Sequence, residues 1–217
     1  PSEFNPKTAA LLEKLFKKYF SEDEIVVVNG GPEAGSAFAS LDLDHIIFTG
    51  ATSIGRMVMQ AAAQNLTPVT LELGGKSPTI ISKATDVKQA AEKIISGKTM
   101  NAGQVCLSPD YVFVPESELE NFVSSARQTF QEMFPTISGN SDYVAVINVR
   151  HYQRITGYIE EAKAAGVRVE ALQDDAYNPE EQRIPVHVII NPDESLKVMQ
   201  DEIFGPILIV KTYTEPS

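Results

Sequence analysis

One cysteine stands out because of its surroundings in the sequence. Cys106, the only cysteine among 217 residues, follows the polar, glycine-containing stretch 101–104 and precedes an apolar run. A thiol on a loop before a strand is accessible to a reactant, and nearby amide groups can stabilise a thiolate or an oxyanion. A lone cysteine is more often a small buried hydrophobic residue. Residue type and position therefore leave two alternatives, a nucleophile and a core residue.

Glu72 is the second candidate, because it is a carboxylate inside the strand-like run 69–73. Alternation along a strand can place it beside Thr70 on a solvent-facing side, with no chemical role. In α/β proteins, however, ligands bind at the carboxyl ends of parallel strands, where a glutamate can take a proton from water. The sequence thus leaves a solvent-exposed side chain and a general base as the two interpretations.

Other motifs are weaker. Gly50 and Gly55 border a turn between a strand-like and a helix-like segment, but they do not form the Gly-x-Gly-x-x-Gly fingerprint of dinucleotide-binding proteins. The turn can present a helix N-terminus to a pyrophosphate, or it can be a plain connection. The three histidines lie far apart, so we expect no metal site, and no Gly-x-Ser-x-Gly elbow supports a serine hydrolase.

Composition narrows the class of protein. A formal net charge of −11 argues against binding to nucleic acid or to anionic membranes. No apolar run reaches the roughly 18–20 residues that a spanning helix needs. A single cysteine cannot form an intrachain disulfide, which favours the cytoplasm. Because the chain starts at Pro1 and not at methionine, we expect it to be a piece of a longer protein.

Hydrophobic periodicity predicts an α/β protein in which strands alternate with helices and form a parallel sheet. A break at Gly74 and Gly75 is the expected boundary between residues 1–73 and 74–217. The predicted helices are 7–20, 53–65, 86–99 with Asp86 as N-cap, 115–134 and 149–165. The predicted strands are 25–28, 45–49, 69–73, 79–82, 111–114, 143–147, 167–170, 186–190 and 207–212, and 173–182 is an expected loop.

Four segments, taken in order, resemble the aldehyde dehydrogenase superfamily. Glu72 and Cys106 also have the family's separation between base and nucleophile, 106 − 72 = 34 positions. The resemblance covers nearly the whole chain. The segments are Phe48-Thr49-Gly50 with Gly55, Glu72-Leu73-Gly74-Gly75-Lys76, Gly103-Gln104-Val105-Cys106, and Glu202-Ile203-Phe204-Gly205-Pro206.

The resemblance implies a fold and an activity. Residues 1–73 would be the C-terminal part of a doubly wound dinucleotide-binding domain, and 74–217 a catalytic α/β domain cut short at its C-terminus. Cys106 would attack an aldehyde, with its own N–H as one donor of the oxyanion hole. After hydride transfer, Glu72 would activate the water that releases a carboxylic acid.

The resemblance also implies contacts with NAD or NADP. Gly50 would border the pyrophosphate, Ile54 would pack near the adenine, and Gly31 would approach the adenosine. Glu202 would hold the nicotinamide ribose and Phe204 would lie beside it, while a carboxylate at Glu3 would favour NAD by repelling a 2′-phosphate. Leu73 and Gly74 complete the predicted cofactor-binding residues. The expected partners are a small aldehyde and, for the parent protein, further copies of itself.

The sequence departs from the family pattern in several places, and these differences affect the expected cofactor contacts and activity. Ala51 stands where many members carry a hydroxyl or amide side chain, so that contact with the pyrophosphate is lost. The family's oxyanion-hole asparagine and first cofactor-binding strands would precede Pro1, so we expect the 217 residues alone to be inactive. Residues 106–111 resemble the branch that contains fatty, aromatic and coniferyl aldehyde dehydrogenases, which indicates an aryl or aliphatic aldehyde.

Two alternatives remain open. An acylating member would pass the thioester to coenzyme A, a thiol that needs no water-activating base, so Glu72 disfavours this activity. A structural module that serves only assembly would need neither Cys106 nor Glu72.

Overall fold

The computed structural model describes residues 1–174 and 179–214. The chain divides into two compact units, an N-terminal unit (Pro1–Gly74) and a C-terminal unit (Gly75–Ser217). Among the described residues, no helix combines the length and the apolar character needed to cross a membrane.

The N-terminal unit is a small parallel sheet with three helices. Strands β1 (Ile46–Gly50) and β2 (Val69–Leu73) pair in parallel, as expected for strands joined through a crossover helix. Helices α1 and α2 begin at prolines, whose missing N–H would have no partner in a first turn anyway. The helices are α1 (Pro6–Tyr19), α2 (Pro32–Ala39) and α3 (Thr52–Ala62), the last of which connects the two strands.

The C-terminal unit is built on a five-stranded sheet of order β3-β4-β7-β6-β5. All neighbouring strands are parallel except β5, which runs antiparallel to β6 at the edge. The strands are β3 (Pro78–Ile80), β4 (Tyr111–Pro115), β5 (Arg168–Ala171), β6 (His187–Ile190) and β7 (Ile207–Tyr213). The helices are α4 (Val87–Thr99), α5 (Leu119–Met133), α6 (Val149–Ala164) and the single turn α7 (Lys197–Gln200).

Both faces of this sheet are covered. Leu208 and Val210 of β7 contribute to a core formed with α4 and α5, whereas Ile207 and Ile209 contribute to a second core formed with α6. A strand buried on both faces is apolar at every position and does not alternate, which explains the continuous apolar runs in the sequence. The predicted α/β class with mainly parallel strands is therefore confirmed.

Two predicted strands are wrong. Residues 25–28 form no ladder, because the two strands of the N-terminal unit pair with each other and no further strand lies alongside this run within the described residues. Residues 143–147 are irregular because their backbone groups bind elsewhere: the N–H of Val146 donates to the Gln182 carbonyl, and Gln104 binds two others. The predicted loop 173–182 lies partly outside the described residues, since 175–178 are not among them.

The other predicted helices and strands agree with the structure to within a few residues, whereas helices α2 and α7 are absent from the predictions. The predicted N-cap of α4 is confirmed, since a carboxylate oxygen of Asp86 accepts hydrogen bonds from the N–H groups of Lys88 at 3.0 Å and Gln89 at 3.3 Å.

We predict that Asp86→Ala lowers the free energy of unfolding of the chain by about 1 kcal/mol, because two N–H groups at the start of α4 lose their acceptor. Asp86→Asn should retain most of the stability, since asparagine caps as well as aspartate. Equilibrium denaturation in urea measures both changes, with Glu92→Ala on the exposed side of α4 as the control. An Asp86→Ala variant as stable as the control would show that the cap contributes nothing.

Candidate active site

The loop before Cys106 has an unusual backbone. Asn101, Ala102 and Gly103 are consecutive and all have positive φ, at 49°, 54° and 73°. Such a conformation disfavours any residue with a β-carbon, at a cost of roughly 1–2 kcal/mol each. At Gly103 a β-carbon would also overlap with the carbonyl oxygen of Gly205. The loop therefore needs glycine at this position for two independent reasons.

Gln104 stabilises this strained loop. Its side-chain amide donates to the carbonyl oxygens of Asn101 at 3.0 Å and Ala145 at 3.1 Å, and its Oε1 accepts from the N–H of Ile147 at 2.9 Å. Gln104 is almost fully buried, at 8% exposure. These hydrogen bonds join the loop to the segment before α6. In that segment the Gln104 side chain, and not a neighbouring strand, binds the backbone groups of Ala145 and Ile147.

The thiol lies at the tip of a tight turn. The N–H of Ser108 donates to the Val105 carbonyl at 2.9 Å, which places Cys106 and Leu107 at the two central positions of the turn. Cys106 is exposed, whereas Gln104 and Ser108 on either side are buried. The interpretation of Cys106 as a core residue is therefore wrong. The backbone N–H of Cys106 has no acceptor among the described residues, so it is free to donate to a bound oxyanion.

A buried carboxylate joins this loop to two other segments. Asp110, 3% exposed, lies at the end of the loop just before β4. One of its oxygens accepts a short hydrogen bond from Lys76 Nζ, and the other accepts from the N–H of Ile203 at 2.9 Å. Lys76 Nζ also donates to the carbonyl oxygens of Val198 at 2.7 Å and Asp201 at 3.0 Å. Both oxygens of Asp110 and the ammonium of the partly buried Lys76 thus have partners, as the burial of a charge requires.

The neighbouring residue Glu202 is half-buried. Its Oε1 accepts from the N–H of Gly75 at 3.2 Å, and its main-chain carbonyl accepts from Arg154. Burial raises the pKa of the Glu202 carboxyl above its usual value. Phe204, which has a φ of 45°, is 38% exposed. In the C-terminal unit the fold therefore brings together the thiol loop, Glu202 and Phe204.

In the N-terminal unit, Glu72 lies near the carboxyl end of β2, opposite Thr49 of β1. Exposure alternates along β2, so Glu72 shares the exposed side with Thr70, while Val69, Leu71 and Leu73 are half-buried. Glu72 is thus accessible at the strand end where parallel sheets bind ligands.

The turn between β1 and α3 is tightly packed. A β-carbon at Gly50 would approach the Phe48 ring to 2.6 Å, and one at Gly55 would approach a methyl group of Leu73 to 2.8 Å. These contacts bring the N-terminus of α3 close to the strand ends. No side chain caps this end because the N-cap is Ala51, and the N–H of Ile54 already donates to the Ala51 carbonyl. The N–H groups of Thr52 and Ser53 have no acceptor among the described residues and are available to an anion.

The other predicted cofactor residues lie on open surface of the N-terminal unit. Ile54 is 43% exposed in the first turn of α3, and Glu3 and Gly74 are exposed. Gly31 is the N-cap of α2, and a β-carbon there would meet no atom within 4 Å. No neighbour among the described residues therefore requires glycine at position 31.

Sequence reasoning missed Gln104 and Asp110 as structural determinants of the thiol loop. The motifs contain both residues but do not reveal these roles, because the distant partners lie 34 to 93 positions away. A signal was available in Asp110, since an acidic residue at the start of an apolar strand run needs a buried partner.

Comparison with known proteins identifies the family. The sequence model of the aldehyde dehydrogenase family matches residues 1–216. The chain belongs to the aldehyde dehydrogenase family. It is 51% identical to a probable coniferyl aldehyde dehydrogenase of Caulobacter vibrioides, over 98% of this chain and 44% of the relative. It is 43% identical to a coniferyl aldehyde dehydrogenase of a Pseudomonas species, over 99% of this chain and 45% of the relative.

Solved aldehyde dehydrogenases have the same fold. The substrate-bound structure of Staphylococcus aureus AldH superimposes with a TM-score of 0.90 at 34% identity, over 99% of this chain and 46% of that one. A betaine aldehyde dehydrogenase double mutant from the same organism, in complex with NAD+, gives a TM-score of 0.85 at 28% identity, over 99% of this chain and 44% of that one. The chain thus spans less than half the length of the aldehyde dehydrogenases it matches.

We predict that Gly103→Ala destabilises the chain more than Gly139→Ala. Both glycines have a φ near +70°, but only Gly103 has a backbone carbonyl in the space of the added methyl group. Gly139→Ala should cost roughly 1–2 kcal/mol for the left-handed backbone alone, and Gly103→Ala roughly 1–3 kcal/mol more for overpacking. Urea denaturation of the two variants measures the difference; equal losses would contradict the close contact with Gly205.

Proposed function

We propose that the protein containing this chain oxidises an aldehyde to its carboxylic acid with NAD or NADP, using Cys106 as nucleophile and Glu72 as general base. The observation that carries the proposal is that the Cys106 thiol is exposed at the tip of a turn and that its backbone N–H has no acceptor among the described residues. A buried structural cysteine would have neither property. The family membership supports the same reaction class.

The reaction begins with attack of the Cys106 thiolate on the aldehyde carbon, which forms a C–S bond and an oxyanion. The N–H of Cys106 donates a hydrogen bond to this oxyanion. A bound nicotinamide would supply the acceptor for the hydride, which leaves the former aldehyde carbon with its two electrons, so that Cys106 would then carry a thioester. Glu72 then takes a proton from a water molecule, whose oxygen attacks the thioester carbon. Collapse of the adduct breaks the C–S bond and releases the acid and the thiolate.

Several residues fit a dinucleotide. The uncapped N-terminus of α3 offers N–H groups and a positive dipole end to a pyrophosphate. Glu202, held at one oxygen by the Gly75 N–H, offers its other oxygen to ribose hydroxyls, and Phe204 presents an exposed ring beside it. Ile54 provides an exposed apolar side chain for an adenine. Gly31 and Gly50 have no side chain, so a cofactor could approach the backbone closely at these two positions.

We further propose an aryl aldehyde of the coniferyl type as the substrate. Three of the relatives, at 43–51% identity, carry that name. Leu107, 80% exposed next to the nucleophile, gives the thiol loop an apolar surface against which an aromatic ring can pack.

We predict distinct kinetic defects for Cys106→Ser and Glu72→Gln in a chimera in which this chain replaces the matching 44% of the Caulobacter relative. Cys106→Ser should abolish the burst of reduced cofactor and lower kcat by roughly 10³-fold or more. Glu72→Gln should leave the burst unchanged and lower the steady-state rate by roughly 10²-fold. The reason is that hydrolysis of the thioester needs a base to activate water, whereas acylation does not. Stopped-flow absorbance of the reduced nicotinamide follows both phases.

The controls separate the alternatives. Thr70→Val, on the same exposed side of β2, should leave both phases intact. If coenzyme A restores the turnover of the Glu72→Gln variant, the result would favour an acylating enzyme. If neither variant differs from the unmodified chimera, the result would support a module without catalysis. The 217-residue chain alone should reduce no cofactor, and robust turnover would refute this part of the proposal.

A further inference from the structure

Helix α6 carries three polar side chains along one face. His151, Arg154 and Tyr158 follow one another at intervals of three and four residues, which places them in line on the helix. Tyr158 is 4% exposed, and a buried phenol needs a hydrogen-bond partner for its hydroxyl. The side-chain partners of Arg154 and Tyr158 lie in α6 itself and in the segment that contains Glu202.

The hydroxyl of Tyr158 lies between a cation and an anion. It donates to Asp201 Oδ2 at 2.9 Å and accepts from Arg154 Nη1 at 3.2 Å, and the guanidinium carbon lies 5.4 Å from the centroid of the phenol ring. The same Nη1 donates to the main-chain carbonyl of Glu202 at 3.4 Å, while Nε donates to His151 Nδ1 at 3.3 Å. Through these contacts this face of α6 binds both the Glu202 backbone and the side chain of the residue before it.

The two peptide groups on either side of Glu202 are held in place. The carbonyl of Asp201 accepts from Lys76 Nζ at 3.0 Å, which fixes the peptide group before Glu202. The peptide group after Glu202 is bound at both ends, because its carbonyl accepts from Arg154 and its N–H donates to Asp110 Oδ2 at 2.9 Å. Since a peptide group is planar, the orientation of two successive groups sets the direction in which the side chain between them leaves the backbone. Among the described residues, Arg154 is the one donor to the Glu202 carbonyl.

We propose that Arg154 and Tyr158 are positioning residues for Glu202: they hold the peptide group after it and the side chain of the residue before it, so that the Glu202 carboxylate points towards the ribose hydroxyls of the cofactor. This inference rests on the proposed function, in which Glu202 holds those hydroxyls. The carboxylate itself accepts only one hydrogen bond within the described residues, from the Gly75 N–H at Oε1. Its position therefore depends on the backbone that carries it.

Arg154 also acts on Glu202 through its charge. The guanidinium opposes the burial and the negative charge of Asp110, which raise the pKa of the Glu202 carboxyl. Charge and geometry can be separated by experiment. Arg154→Lys would keep the positive charge, but one nitrogen on a flexible chain could not replace a rigid guanidinium that donates from two of its nitrogens to three acceptors.

The phenol is tested with Tyr158→Phe in the chimera, because this variant keeps the ring and removes only the oxygen that joins Arg154 to Asp201. The dissociation constant of the reduced cofactor, followed by nicotinamide fluorescence, should rise about tenfold, which is within the range of coupling between residues in contact. The KM of the aldehyde should not change, because Gln104 and Asp110 anchor the thiol loop separately. An unchanged dissociation constant would overturn the proposal.

Tyr143→Phe is the matched control. The Tyr143 phenol is also buried and donates to a main-chain carbonyl, that of Ile184 at 2.7 Å, but it lies in the other core of the C-terminal unit. Tyr143→Phe should lower the unfolding temperature without changing cofactor binding. If both variants weaken binding in proportion to the fall in unfolding temperature, a general loss of structure explains the result and the proposal is wrong.

Arg154→Lys distinguishes geometry from charge. This variant should weaken cofactor binding about as much as Tyr158→Phe, because the guanidinium contacts are lost although the charge remains. Arg150→Lys, at an exposed position of the same helix, should leave binding unchanged. If Arg154→Lys binds the cofactor as tightly as the unmodified chimera does, the positive charge alone is sufficient and the proposed positioning by hydrogen bonds is wrong.

A double-mutant cycle distinguishes failure of this inference from failure of the proposed function. If Glu202→Ala weakens binding and Tyr158→Phe adds no further loss in that background, the phenol acts through Glu202 as proposed. If the two losses add, Tyr158 acts independently and the inference is wrong, while the role of Glu202 stands. If Glu202→Ala has no effect on binding, the assigned role of Glu202 is wrong and the inference is overturned with it, whereas the burst measured for Cys106→Ser still tests the nucleophile.

Discussion

The geometry of the C-terminal unit depends on the ion pair and hydrogen bond that the Asp110 carboxylate makes. This carboxylate joins three segments that lie far apart in the sequence: the end of the thiol loop, Lys76 before β3, and the backbone of Ile203 next to Glu202. Asp110 is buried and Lys76 is partly buried, and burial of charge is favourable only when geometry and hydrogen bonds are complete. Because Lys76 donates to three acceptors and Asp110 accepts at both oxygens, the three segments have little freedom to shift relative to one another.

This constraint allows the thiol loop to hold a strained backbone. Three consecutive positive φ angles, two of them at residues other than glycine, persist only where the surroundings oppose relaxation. Gln104 opposes it from one side through three hydrogen bonds, and Asp110 anchors the end of the loop. The turn at the centre then exposes Cys106 and Leu107, while Gln104 and Ser108 before and after them stay buried. The strained backbone, its anchoring by Gln104 and Asp110, and the exposure of Cys106, the proposed nucleophile, thus depend on one another.

The sequence predicts most of this fold because most of its determinants are local. Apolar runs identify β4, β6 and β7, and helical spacing with Asp86 as cap identifies α4. The predictions fail where pairing depends on a distant partner: residues 25–28 have strand composition but no neighbouring strand, and residues 143–147 bind the side chain of Gln104. The same limit applies to the site. Cys106, Glu72 and Glu202 follow from motifs, whereas the roles of Asp110 and Gln104 require contacts that no local pattern contains.

The central claim is that the Cys106 sulfur becomes covalently bound to the substrate. It is tested most directly by mixing the chimera carrying Glu72→Gln with an aryl aldehyde and oxidised cofactor, quenching in acid, and locating the acyl group by peptide mass spectrometry. The account predicts one acyl group per chain on the peptide that contains Cys106, formed together with the reduced cofactor. Cofactor reduction with an unmodified Cys106 peptide, or an acyl group on another residue, would contradict it.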